Sequence, residues 1–222
     1  MGQAITVSGP LAPARRRLPS AAPDFAALLG SQAWGELPLA IRRRFELSAH
    51  HRARAYPGAM QVRASGVGWL IAQAGRLIGT PLAPCAGEDV PVTVLVSPAP
   101  DGALIWDRVY QFAGRPAVTV SSRKATDEQL GLMEMVRGGV GMALSLSVED
   151  GALHFRSRRY VWDVAGLRIA LPLAMTPGEA HVAHIDRGGG FFEFTMSFTH
   201  PWFGLLFEQT GLFSDPLEEG VQ

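Results

Sequence analysis

The chain has 222 residues, with 20 basic residues against 20 acidic and a hydrophobic content of 47%. That is enough apolar material for one continuous core without disulfide staples, and the balanced charge gives no electrostatic excess for binding nucleic acid or an anionic membrane surface. The single cysteine, Cys85, cannot form an internal disulfide and points to a reducing, cytoplasmic setting; no run approaches the roughly 20 consecutive apolar residues of a membrane span, and no secretory signal opens the chain.

Residues 1–22, rich in Pro, Ala, Arg and Ser without periodicity, read as a disordered tail. Residues 23–213 read as one domain, and 214–222, acidic and unpatterned, as a frayed end. Asp24 is placed to cap a short helix carrying Phe25, Leu28 and Leu29 and ended by Gly30. Pro38 opens a second, with Leu37, Ile41 and Phe45 as its apolar positions. On that helix Arg42, Arg43 and Arg44 read as a solvated face, with an anion or partner site as the sharper alternative. His50 and His51 lie in a polar stretch and read as surface. The longest helix is expected over 65–80, with Ser65 as its cap, Gly79 and Pro81 as its stop, and Val67, Leu70, Ile71, Ala74, Leu77 and Ile78 at helical spacing. Its Gly68, Ala72 and Gly75 suit close packing on a sheet.

After Glu88 the period becomes twofold and remains so almost to the end. Val90, Val92, Val94 and Val96 alternate in one strand, and the turn at Pro98–Gly102 leads into Leu104, Trp106, Tyr110 and Phe112, which predicts a hairpin. Val118 and Val120 follow the turn at Gly114 and Pro116. Val140, Met142, Leu144, Leu146 and Val148 then alternate with small residues, and Glu149, Asp150 and Gly151 turn the chain into Leu153 and Phe155. Further strands are expected at Tyr160 and Trp162, at Val182 and His184, and, after Gly188–Gly190, at Phe192, Phe194, Met196 and Phe198. About eight or nine strands joined by short turns form a meander that must curl to hide its apolar face and its edges. The expected class is therefore α+β, mainly antiparallel β: a strongly curved sheet or incomplete barrel, with one long helix over its open side and short N-terminal helices.

Catalytic motifs are sparse. There is no Gly-x-Ser-x-Gly elbow, Cys85 lies in a Pro-rich loop with no histidine near in sequence, and Asp107, Glu134, Glu193 and Glu208 are scattered single carboxylates. His181 and His184 have ligand-like spacing, but three residues apart on a strand they face opposite ways, so neither a metal nor another cofactor is expected. The more suggestive positions are polar residues within apolar strands. Arg108 shares a face with Trp106 and Tyr110, and His154, Arg156 and Arg158 are expected to share one with Tyr160 and Trp162. On a concave face these eight residues would suit a ligand with an apolar body and an acidic head, because guanidinium binds carboxylate or phosphate in a fork. On a convex, wet face they are ordinary solvent-facing alternation, with arginine stems covering aromatic surface.

Several segments together resemble a bacterial family, the domain of unknown function four-one-six-six. They are Phe25-Ala-Ala-Leu-Leu-Gly30 with Leu37-Pro38, Gly79-Thr-Pro81, Gly87-Glu-Asp-Val-Pro-Val92, Trp106-Asp-Arg108 with Phe112, and Gly204-Leu-Leu-Phe207 with Gly211. Their order and spacing carry the resemblance, which spans about 25–213; Glu208, where an aromatic is expected, and the Arg-rich N-terminal tail depart from it. The resemblance implies no established activity. It does imply a possible dehydrogenase-like partner, since some members are fused to dehydrogenase-like or epimerase-like nucleotide-binding domains. The leading expectation is a non-catalytic binder of a lipid-like or amphipathic small molecule. The alternatives are an acid-base enzyme using Arg108, His154 or His184 on a hydrophobic substrate, and an accessory module docking a dehydrogenase-like protein.

Overall fold

A computed structural model describes residues 21–46, 52–75 and 82–215. The expected tail through residue 20, His50 and His51, residues 76–80 of the expected long helix, and the acidic end beyond Asp215 lie outside the described residues.

Three short helices come first: α1 (Phe25–Leu29), α2 (Ser31–Glu36) and α3 (Leu39–Phe45). Asp24 caps α1 as its sequence predicts, its carboxylate accepting from the Ala27 amide at 3.0 Å. Strand β1 (Arg54–Ala64) follows, then α4 (Gly66–Gly75). The hydroxyl of Ser65 accepts from the Gly68 amide at 3.1 Å, so the expected cap is present. The remaining strands are β2 (Gly87–Pro98), β3 (Leu104–Tyr110), β4 (Val118–Asp127), β5 (Gly131–Met135), β6 (Val140–Glu149), β7 (Ala152–Val164), β8 (Leu167–Leu171), β9 (Glu179–Gly188), β10 (Phe191–His200) and β11 (Gly204–Ser214).

All pairings between these strands are antiparallel. The sheet runs β6-β5-β4-β3-β2-β1-β11-β10-β9-β7-β8, and an additional β6–β7 ladder joins its ends into a closed barrel of ten strands, with β8 attached outside. The meander and its hairpins agree with the sequence; the expected incomplete barrel is corrected to a closed one. Closure removes the free edges that an open sheet would expose. Strand β7 makes this possible. One of its edges pairs with β6, while the other pairs with β9 over 153–156 and with β8 over 160–164. A bulge opposite Ala143 and Leu144 separates the two halves.

The barrel interior is built from the inward members of the twofold pattern: Val90, Val92, Val94 and Val96 of β2, Leu104, Trp106, Arg108 and Tyr110 of β3, and Phe192, Phe194, Met196 and Phe198 of β10. Helices α1 and α3 plug one end. The Phe45 ring stands edge-on to His184 at 4.9 Å and stacks near Trp106 at 6.2 Å, while Phe25 packs edge-on against Phe45 at 5.1 Å. At the other end α4 seats on β11. The Ser65 amide donates to the Leu206 carbonyl at 2.9 Å, and a Cβ at Gly68 would collide with that same carbonyl oxygen, so glycine is what permits the approach.

Arg44 corrects a second expectation. It is buried, ion-paired with Asp215 at 2.7 Å, and its guanidinium lies 3.7 Å from the centre of the Phe192 ring. Asp215, expected at the start of the frayed end, is buried too. This pair ties the segment after β11 to the helical plug. Removing one member of a buried pair leaves an uncompensated charge, so Asp215→Asn should cost about 3–5 kcal/mol in urea unfolding, whereas the double replacement Arg44→Met with Asp215→Leu should recover most of that loss.

Candidate ligand-binding interior

Strands β3, β4 and β5 are neighbours, and their inward positions bring charged groups together that are far apart in sequence. Arg108, Ser122, Lys124 and Glu134 are all buried. The Lys124 ammonium lies 3.2 Å from a Glu134 oxygen and 4.4 Å from the centre of the Trp106 ring. Arg108 donates from Nη2 to the Ser122 hydroxyl at 3.3 Å. Among the described residues no carboxylate lies within ion-pairing distance of Arg108. Burial pushes Glu134 up, but Lys124 and Arg108 outweigh it and hold the carboxyl below its ordinary range. Burial, joined by the charge of Arg108, pulls Lys124 down against the pull of Glu134.

Nearer the plug, His184 stands among Phe45, Trp106, Phe155, Phe192 and Phe194, with ring centres 4.9–6.1 Å away. Burial, then the charges of Arg44 and Lys124, hold it well below its ordinary value of 6.5, so the ring is neutral at physiological pH. Tyr110 and Gln209 satisfy one another across the barrel at 2.9 and 3.1 Å.

Two spaces meet in this interior. A narrow, largely enclosed cavity of about 40 Å3 is lined by Arg44, Trp106, Arg108, Lys124, Glu134 and His184 together with apolar side chains. A wider funnel of about 500 Å3 opens beneath α4, lined largely by apolar groups, among them Val67, Ile71, Val140, Tyr160, Met175 and Phe203. Glu134, Met142 and Phe198 line both, so a single layer of side chains parts the funnel from the charged floor.

Of the eight positions singled out from sequence, Trp106, Arg108, Tyr110 and Tyr160 are buried, with their strands' inward faces. The other four lie elsewhere. His154 is on the outer surface, its Nδ1 2.9 Å from Nε2 of His181, and Arg156 forms a two-point pair with Glu149 at 2.6 and 2.8 Å. Arg158 donates to the Leu130 carbonyl at 2.9 Å, and Trp162 to that of Gly138 at 3.0 Å. The expected common face is therefore corrected: the bulge in β7 shifts the alternation by one residue, turning Tyr160 inward while His154 and Arg156 stay outside. Arg108, His154 and His184 accordingly do not converge, because the barrel wall stands between His154 and the other two. Lys124 and Glu134 were not singled out as site residues, and Arg44 only within the alternative reading of its arginine run as an anion or partner site. The alternation of Val120, Ser122 and Lys124 was the available signal for β4, and Glu134, read as a lone carboxylate, is paired.

The family model for the domain of unknown function DUF4166 matches residues 37–213. The chain belongs to this family. In this DUF4166 protein the match takes in every strand of the barrel, and with them Arg108, Lys124, Glu134 and His184. Neither a curated protein nor a solved structure gives a significant match to the chain.

The neutral His184 has a consequence for stability. The unfolded chain takes up a proton on this residue below about pH 6.5, whereas the folded barrel resists it, so folding stability must decline as pH falls through that point. His184→Phe, which fits the aromatic surroundings, should flatten the stability profile below pH 6.5 by up to about 1.4 kcal/mol per pH unit, measured by urea unfolding at a series of pH values.

Proposed function

We infer that the protein is a non-catalytic barrel that binds a lipid-like or amphipathic small molecule, the apolar part lodged in the funnel beneath α4. The observation that carries this reading is the funnel itself. Its volume of about 500 Å3 falls within the roughly 300–1,000 Å3 typical of small-molecule sites. Its lining is mainly aliphatic and aromatic, with Glu134, Thr176 and His200 as the few polar groups. Such a composition favours an apolar guest with one polar end. Barrel geometry supports the same reading: about eight strands leave an interior that side chains just fill, and wider barrels leave room beyond that.

Access is consistent with it. Met175 of the 3-10 turn Leu173–Met175 and Phe203 between β10 and β11 are large apolar side chains that line the funnel and are also exposed to solvent. An exposed apolar rim of this kind suits entry of a greasy molecule.

Nile red, a neutral fluorophore that brightens in apolar surroundings, should bind the purified protein with a stoichiometry near one. Ile71→Trp, which fills the funnel from the α4 side, should weaken that binding by about tenfold or more while thermal unfolding stays within a few degrees of the parent. Unchanged dye affinity in that variant would remove the funnel as the site.

A further inference from the structure

The floor of the barrel specifies what the polar end of such a guest must be. Four buried side chains that line the 40 Å3 cavity carry a nitrogen with no partner among the described residues: Arg44 at Nη1, Trp106 at Nε1, Arg108 at Nε and His184 at Nδ1. Each of these residues is more than nine-tenths buried. The guanidinium and indole nitrogens can only donate, and a buried donor left unmet is costly. No oxygen among the cavity's described lining side chains is left in that state. The site therefore calls for acceptors.

Charge narrows the choice further. Among the described residues Arg44 is paired with Asp215 and Lys124 with Glu134, which leaves Arg108 with no carboxylate of its own and the interior one positive charge in surplus. A buried cation without a counter-charge is among the least favourable arrangements in a protein core. A single negative charge restores neutrality, and a dianion would overshoot it. The cavity's volume suits a group the size of two or three waters, which a carboxylate matches. The funnel lies on the far side of Glu134, Met142 and Phe198, and Met142 is an unbranched, adaptable side chain able to swing aside.

We propose that the ligand is a fatty-acid-like monocarboxylate that enters head first, its carboxylate taken by Arg108 and the Trp106 indole N–H at the barrel floor and its alkyl chain filling the funnel. The proposal rests on the carrier reading above, and the two fail differently. Three twelve-carbon probes, dodecanoate, dodecanol and dodecyl phosphate, are titrated against bound Nile red with the whole protein and with two variants, Arg108→Gln and Trp106→Phe. Dodecanoate should compete about tenfold or more better than dodecanol, because a hydrogen bond to a charged group is worth that much. Arg108→Gln should abolish this preference while leaving dodecanol affinity within about twofold, which also establishes that the variant is folded. Trp106→Phe keeps an aromatic ring but removes the indole N–H, and should weaken dodecanoate alone, by several-fold. Arg108→Gln should also unfold at a temperature no lower than the parent, since it removes an unpaired buried charge.

Equal competition by acid and alcohol, or an acid preference that survives Arg108→Gln, overturns the head-first carboxylate and leaves the carrier intact. Dodecyl phosphate outcompeting dodecanoate overturns the monoanion assignment. Absence of binding by Nile red and by all three probes overturns both readings together.

Discussion

Every feature of the interior depends on β7 closing the ring, with β6 on one of its edges and β9 on the other. A strand normally has one neighbour on each side, and a ten-stranded ring built on that rule would leave β8 nowhere to pair. Here the bulge opposite Ala143 and Leu144 bends β7, so that residues 153–156 close the ring against β9 while 160–164 leave it to carry β8. The outer hairpin is held by Arg168, which pairs with Asp163 at 2.6 Å and with Asp127 at 2.8 Å. Without the β6–β7 and β7–β9 ladders the sheet would stay open, and the charged residues of β3, β4 and β5 would face water.

Closure sets the electrostatic problem that the core then solves in part. A ring of ten strands encloses more volume than its aliphatic residues fill, and the remainder is taken by Phe45 from the helical plug, by the rings around His184, and by two buried ion pairs. Buried ion pairs contribute little net stability, because desolvation offsets most of their attraction. Their presence inside an otherwise apolar barrel therefore calls for another explanation than stability. Arg108, buried and without a carboxylate in ion-pairing distance among the described residues, makes the case most directly: a methionine there would be cheaper to bury, so its charge fits a role toward something that enters.

Much of this architecture was legible in the sequence, and the failures have identifiable causes. The β2–β3 hairpin could be read because valines and aromatics alternate without interruption across a Pro- and Gly-rich turn. Strand β1 could not, since Pro57 and Gly58 stand in its middle. Gly58 is needed where a Cβ would strike the Leu212 carbonyl and the Phe213 ring, and Pro57 cannot donate to a ladder. In β11 the inward positions include Gln209 and Gly211, which erase the apolar rhythm although both are buried against neighbouring strands. The candidate site divided along the same line. Trp106, Arg108 and Tyr110 lie on one unbroken strand and kept their common face, whereas the face from His154 to Trp162 was read through a bulge that composition does not announce. Lys124 and Glu134 meet only because β4 and β5 are adjacent in the folded sheet, a fact of register that local pattern does not contain.

On the proposed reading the barrel holds an ionised carboxyl group against a surplus of buried positive charge. Dodecanoate labelled with 13C at the carboxyl carbon reports on this directly by NMR, through the chemical shift of the bound species as pH is lowered. The bound carboxyl should stay ionised well below the pH at which the free acid takes up its proton, with magnetisation transfer from the alkyl chain to Ile71 and Val67 at the funnel. A bound carboxyl that titrates like the free acid would place the head in water, and would contradict that reading.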